Sequence, residues 1–333
     1  MRRTTVYLGL LALAVAGCGA GADARGRDGS ATVAVAVDSA PAPSSPEAAR
    51  AVAITIDDLP TASLARDTVT QWAITRGILD VLRRADAPAI GFVNEDKLGA
   101  GSAREARVRM LRAWLDAGHD LGNHGYAHLD INDTPLGEYT ADIVRGEPVT
   151  TQLRGARPRY FRHPFLHVGN DAAKKAGLEA FLAERGYVAA PVTVDNYDYV
   201  FARAYELALD AGAAERATQV ADAYVVYMDT VFGFYEAQSR AIVGREIPQV
   251  LLLHASRLNA DRLDALLALV RRRGYRVVTL EEALRDSVYA RASTYAGPAG
   301  MTWLHRWAIT ADLERSIFRG EPEVPAFVAE AAR

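Results

Sequence analysis

Ala51-Val-Ala-Ile-Thr-Ile56 runs directly into Asp57-Asp58 and then Leu59-Pro60. Six apolar or β-branched residues in a row predict a short buried strand, and the Leu-Pro pair turns the chain away. Two adjacent carboxylates at such a tip repel each other and lose hydration, so folding alone gives no reason for them. A positive group is needed beside them, either a bound cation or an arginine. The chain offers both. His124-Gly-Tyr-Ala-His128 supplies two imidazoles four residues apart, Arg162 lies within Phe161-Arg-His-Pro-Phe165, and His254 closes the run Gln249-Val-Leu-Leu-Leu253.

Outward from that stretch, composition sets the bounds. With 333 residues, 50% of them hydrophobic, the chain can bury a large core, enough for one big α/β domain or two small ones. The net charge is −3, which makes no electrostatic case for nucleic acid as a partner. No repeat recurs at solenoid or propeller spacing.

The amino-terminal residues describe an export signal: Met1-Arg-Arg, an apolar run from Val6 to Ala16, then Gly17-Cys18. That run is too short to span a bilayer. Leu13-Ala-Val-Ala-Gly-Cys18 resembles the bacterial lipoprotein box, which implies that residues 1–18 are a signal peptide ending at a lipidated Cys18. Cys18 is the only cysteine, so the rest of the chain has no disulfide and relies on its core. The resemblance implies an exported protein held to a bacterial membrane on its periplasmic or cell-surface side. Residues 19–50 are Gly, Ala, Ser, Pro and Asp in bulk, including Pro41-Ala-Pro-Ser-Ser-Pro46, and read as a flexible tether.

From Ala51 onward the pattern alternates. Strands are expected at 51–57, 87–93, 120–123, 159–162, 187–194, 249–253 and 275–280. Helices are expected near 67–84, 103–117, 136–153, 171–185 and 259–272. A long helical insert, about 200–246, carries Val220, Tyr224, Tyr227, Met228, Val231 and Tyr235 on one stripe, most simply its face against the domain. Alternating βα units imply a parallel sheet with its loops gathered at one end, where catalytic groups of a β/α barrel converge. The barrel is expected over 51–285. Residues 286–333 form a carboxy-terminal extension packed on its outside, with His305 structural. His119, His163 and His167 are read as structural or rim residues, His167 being the one expected to reach the cleft.

Each site residue falls at or just after a predicted strand end. His124 and His128, four apart, would project from one face of a helical turn. Two imidazoles and one carboxylate give a zinc ion three protein ligands and leave one position open for water. The second carboxylate is then free to act as a general base.

In chain order these segments resemble the five motifs of the NodB-homology polysaccharide deacetylases (carbohydrate esterase family 4). Thr55-Ile-Asp57-Asp58 is similar to the first, His124-Gly-Tyr-Ala-His128 to the second and Phe161-Arg-His-Pro-Phe165 to the third. Asp195-Asn-Tyr-Asp-Tyr199 is similar to the fourth and Leu252-Leu-His254 to the fifth. The resemblance implies a distorted (β/α)7 barrel with the helical insert before the last catalytic strand. It implies hydrolytic removal of an N-acetyl group from an envelope or extracellular glycan. Asp57 would be the base, and Asp58, His124 and His128 the ligands of a divalent metal, zinc foremost. Phe165 would offer its backbone N–H to the oxyanion, and His254 would protonate the leaving amine. Arg162 would hold Asp57, Asp195 would pair with His254, and Tyr199 and Leu252 would line the acyl pocket. Gly125 stands where the family usually has Ser or Thr, and Tyr199 where it has Trp. O-acetyl ester or other C–N bond hydrolysis would use the same site. A silent glycan-binding lipoprotein is the alternative of another class.

Overall fold

A computed structural model describes residues 50–333. The signal segment, Cys18 and all but the last residue of the tether lie outside the described residues. The chain runs β1 (Arg50–Leu59), α1 (Thr68–Arg84), β2 (Ala89–Val93), α2 (Gly101–Asp116), β3 (Asp120–Asn123), α3 (Leu136–Arg145) and α4 (Pro148–Arg154). It continues through β4 (Tyr160–Phe161), α5 (Ala172–Glu184), β5 (Val188–Ala189), α6 (Asp198–Asp210), α7 (Ala214–Val243), β6 (Gln249–His254) and α8 (Arg257–Arg272). Strand β7 (Tyr275–Val278) and helices α9 (Leu280–Ala283), α10 (Trp303–Thr310) and α11 (Ala326–Ala331) complete it.

All seven strands pair in parallel, in the order β5-β4-β3-β2-β1-β6, with β7 also on β1. The sheet curls until the segment after β5 meets β6 through a single bridge, Val194 to Leu251. This is the expected distorted (β/α)7 barrel, closed by one bridge instead of a full ladder. Side chains alternate along β1. Val52, Ile54 and Ile56 join the large cluster under the helices, while Ala53 joins Ile90, Phe92, Tyr160 and Val250 in a smaller cluster inside the barrel. Thr55 and Asp57 share the inner parity of Ala53.

Local chemistry accounts for the boundaries. Asp67 caps α1 by accepting the Thr70 N–H, and Ile74, Ile78 and Leu82 form its buried face. The helix expected over 136–153 is two helices, because the chain breaks at Gly146 and Pro148 opens α4. The strand expected over 187–194 is reduced to Val188–Ala189, since after the Ala190 N–H bonds the Phe161 carbonyl the chain leaves β4 and reaches β6 at Thr193, whose N–H bonds the Val250 carbonyl. Helices α6 and α7 occupy the segment before β6, and the α7 stripe from Val220 to Tyr235 is buried. Among the described residues no helix is long and apolar enough to cross a membrane.

Candidate active site

Parallel strands put every strand's carboxyl end on one rim, and a cleft of about 1060 Å³ opens there. Asp57 and Asp58 both reach it because β1 is bulged. Between the pairs Ile56–Gly91 and Leu59–Val93 the first strand carries one residue more than the second. Asp58 absorbs the difference with φ 72°. A regular strand would aim the two carboxylates to opposite faces; the bulge turns both into the cleft.

The His124–His128 segment is a loop, not the helical turn that the four-residue spacing suggests. It leaves β3 at Asn123 and doubles back with Gly125 at φ 76° and His128 at φ 54°. Asp142 of α3 holds it, accepting the N–H groups of Tyr126 (2.8 Å) and Ala127 (3.1 Å). Asn94 donates to the His124 carbonyl at 2.7 Å, and Asn123 Oδ1 accepts the Gly125 N–H at 2.7 Å. Asp142 and Asn94 thus steady a loop whose glycine has no hydroxyl of its own. Neither was legible in sequence, because each lies in a different element.

His124 Nδ1 stands 2.9 Å from the Arg162 carbonyl, which only accepts, so the proton sits on Nδ1 and the Nε2 lone pair faces Asp58. Burial holds the pKa of His124 well below its ordinary value, and that of His128 below it too, so both rings are neutral. Burial alone would raise Asp58, but the charges of Lys97 and His254 outweigh it and hold its carboxyl well below the usual range. Lys97 Nζ lies 3.0 Å from Asp58 Oδ1, an ion pair without hydrogen-bond alignment. One ligand atom each from Asp58, His124 and His128 lies within 4.8 Å of the others. Two neutral imidazoles, an ionised carboxylate and an Asp58 oxygen that accepts no hydrogen bond fit a divalent metal such as zinc.

Asp57 is buried beside this trio. Burial raises its pKa to about 6 against the opposing pull of Arg162 and His254. Arg162 Nη1 lies 3.6 Å from Asp57 Oδ2, and Nη2 donates to Thr55 Oγ1 at 2.8 Å. The guanidinium also sits 4.8 Å from the centre of the Phe92 ring, inside the barrel. Asp57 Oδ1 is buried at the floor of the cleft and accepts no hydrogen bond among the described residues.

The partner of His254 differs from the expectation. Asp198, not Asp195, stands 2.7 Å from His254 Nδ1. Asp198 Oδ2 also accepts the His254 backbone N–H at 2.8 Å and Asn259 Nδ2 at 2.7 Å. Helix α6 begins at Asp198, three residues after Asp195, and its start carries the second carboxylate of Asp195-Asn-Tyr-Asp198 under the imidazole. Asp195 instead accepts its neighbour's N–H, from Asn196 at 2.8 Å, and lines the cleft. Burial lowers the pKa of His254, yet the charge and hydrogen bond of Asp198 overcome it and lift the value to about 9. Among the histidines left over, His163 and not His167 lines the cleft; His167 pairs with Asp130 at 2.8 Å.

Leu252, Phe165, Tyr197 and Tyr199 are among the other residues that line the cleft. Phe165 and Tyr199 are each 53% exposed, so their rings offer faces at the cleft mouth. The structure thus gathers Asp57, Asp58, His124, His128, Arg162, Phe165, Asp195, Tyr199, Leu252 and His254 around one rim.

Comparison with known proteins adds an independent line. Residues 44–181 match the family described as polysaccharide deacetylase. A chitin deacetylase of Colletotrichum lindemuthianum is 26% identical over 239 residues, 71% of this chain and 80% of the relative. A peptidoglycan-N-acetylglucosamine deacetylase of Bacillus cereus is 25% identical over 156 residues, 47% of this chain and 49% of the relative. Among solved structures, that of a chitin deacetylase from C. lindemuthianum superposes with a TM-score of 0.48 at 23% identity, covering 74% of this chain and 92% of the other. Residues 44–181 thus match the polysaccharide deacetylase family, and the five motifs set around one barrel rim make this chain similar to its NodB-type members.

Proposed function

We propose that the barrel is a metal-dependent hydrolase that removes N-acetyl groups from a polysaccharide of the cell envelope or its surroundings. The observation that carries this reading is the meeting, in one cleft, of a carboxylate with one oxygen unbonded (Asp57), a three-ligand trio (Asp58, His124, His128) and a carboxylate-backed imidazole (His254). The relatives named for chitin and for peptidoglycan N-acetylglucosamine support an N-acetylated hexosamine as the substrate unit.

A zinc ion held by Asp58, His124 and His128 would supply Lewis-acid polarisation of the acetyl carbonyl and of an attacking water. Asp57, ionised near neutral pH because Arg162 opposes the effect of burial, takes the proton from that water. As the new C–O bond forms, charge develops on the carbonyl oxygen, and the Phe165 N–H is the protein donor for it. The C–N bond then breaks, with the leaving nitrogen taking a proton from Nε2 of His254, whose Nδ1 is engaged by Asp198. The sum is one amide and one water giving acetate and a free amine. The aromatic faces of Phe165 and Tyr199 suit the apolar face of a sugar ring.

Acetate release from chito-oligosaccharides, peptidoglycan and O-acetylated xylan, measured with zinc and after chelation, tests the reading. Release from an N-acetyl glycan that disappears with chelator and in Asp57→Asn is expected. Release from xylan alone would make the protein an esterase, and failure to bind zinc would remove the metal-site reading.

The lipobox-like Leu13-Ala-Val-Ala-Gly-Cys18 supports lipidation at Cys18 and placement on a bacterial membrane. Incorporation of labelled palmitate, lost in Cys18→Ala together with membrane fractionation, is the expected outcome. A wild-type chain that takes up no label would end that proposal.

A further inference from the structure

Phe165 and Leu166 are successive bulky residues in the left-handed region, with φ 56° and φ 54°. Side chains with a Cβ avoid that region, so such a pair persists only where the surroundings hold it. Its own turn supplies little: Leu166 N–H to His163 O at 3.1 Å and His167 N–H to Pro164 O at 3.0 Å. Leu166 also packs on Val192 and Leu252 and the Phe165 ring on His128, but the side-chain hydrogen bond to the turn's backbone comes from the carboxy-terminal extension, beyond the residues that match the family.

Arg306, on α10 and 2% exposed, donates through Nη2 to the Leu166 carbonyl at 2.6 Å and through Nε to the Met301 carbonyl at 3.0 Å. Its guanidinium lies 3.9 Å from the centre of the Trp303 ring. A buried cation whose hydrogen bonds go to two carbonyls and an aromatic face is costly to place and directional once placed. The rest of the extension is fastened around the same turn. Trp303 N–H donates to Val192 O at 2.8 Å, and Gly297 N–H donates to Gly169 O at 3.0 Å. Gly300 passes so close that a Cβ there would overlap the Phe165 carbonyl oxygen.

We infer that Arg306 is a positioning residue for the reaction. Through the Leu166 carbonyl it locks the strained Pro164–His167 turn in the form that sets Phe165 at the cleft, where the proposed mechanism uses its N–H. Gly300 is the clearance that lets the extension approach closely enough to do so. The inference rests on the deacetylase reading for its catalytic consequence. Its mechanical half, that Arg306 holds the turn, stands apart from it.

The test uses the full chain and three variants, Arg306→Met, Arg306→Lys and Gly300→Ala. Hydrogen exchange of the segment around Leu166 and His167 is read alongside zinc affinity and the kcat and KM for an acetylated chito-oligosaccharide. Arg306→Met should speed exchange at this turn and lower kcat by about tenfold to a hundredfold, the scale of a displaced oxyanion donor, with KM and zinc affinity nearly unchanged. Arg306→Lys should recover part of the rate, and Gly300→Ala should reproduce the loss with Arg306 intact. Unchanged exchange at the turn in Arg306→Met overturns the inference. Faster exchange with wild-type kcat overturns its catalytic half, leaving Arg306 a docking residue. A wild-type chain without hydrolytic activity refutes the deacetylase reading instead, while the exchange data still decide whether Arg306 holds the turn.

Discussion

Asp198 grips His254 at two points: Oδ1 stands 2.7 Å from the ring Nδ1, and Oδ2 accepts the residue's own backbone N–H at 2.8 Å. The carboxylate therefore sets both the ring's orientation and its charge. With the His254 pKa near 9, the ring keeps its proton throughout the neutral range and loses it as pH rises through that value; in the proposed mechanism this is the proton given to the leaving amine.

Asp198→Asn removes the charge that opposes burial. The alkaline limb of the kcat/KM profile should then fall by ~2 pH units, and activity at pH 8 should drop at least tenfold. Asp195→Asn should move that limb less, since Asp195 makes no hydrogen bond to the ring and acts on it only through its charge. A larger shift from Asp195 than from Asp198 would reverse the assignment.

Arg162 is fully buried against Asp57, and Arg162→Met should act in two ways. Losing the cation raises the Asp57 pKa above its value of about 6, so the acid limb of kcat/KM should move to higher pH. The variant also leaves a carboxylate buried without its partner, which should cost about 3–5 kcal/mol in urea denaturation at pH 7.5. A wild-type acid limb in a folded variant would show that Arg162 does not tune the base.

Asp142 touches no ligand atom, yet it carries the Tyr126 and Ala127 N–H groups between the two histidines. Asp142→Ala should weaken zinc binding by about 10- to 100-fold, read by competition with a chromogenic chelator. Unaltered affinity would mean that Asn94 and Asn123 suffice to hold the loop.

Tyr199 presents an exposed ring at the cleft mouth, 6.0 Å from the His254 ring centre. Tyr199→Ala should raise KM for a chito-oligosaccharide by about 2- to 10-fold, the scale of one lost aromatic contact, with kcat little altered. A drop in kcat at constant KM would assign the ring to His254 instead of the sugar.

The identity of the site residues was legible because each sits where periodicity ends. Buried strands read as apolar runs, and a carboxylate, histidine or arginine at the tip of such a run has no folding reason to be there. Asp57, Asp58, Arg162 and His254 stand out in this way, and the alternation of strands and helices orders them around a barrel. What periodicity could not reveal was conformation off the regular elements. The four-residue spacing of His124 and His128 suits a helix, but Gly125 and His128 take positive φ and the segment is a loop. Asp195 and Asp198 are equivalent candidates on paper; only the start of α6 and the hydrogen bond from Asn259 select the second.

By itself, then, the sequence determined the strand–helix alternation, the parallel barrel and the residue types that converge on its rim, since these follow from local hydrophobic pattern and from the cost of stranded charges. Tertiary structure alone decided which partner each of those residues meets. The β1 bulge aims Asp58, Asp142 reaches from α3 to the histidine loop, and Arg306 crosses 140 residues of chain to reach the Leu166 carbonyl. Such pairings depend on loop geometry and on contacts between distant segments, and neither leaves a periodic trace in the order of the amino acids.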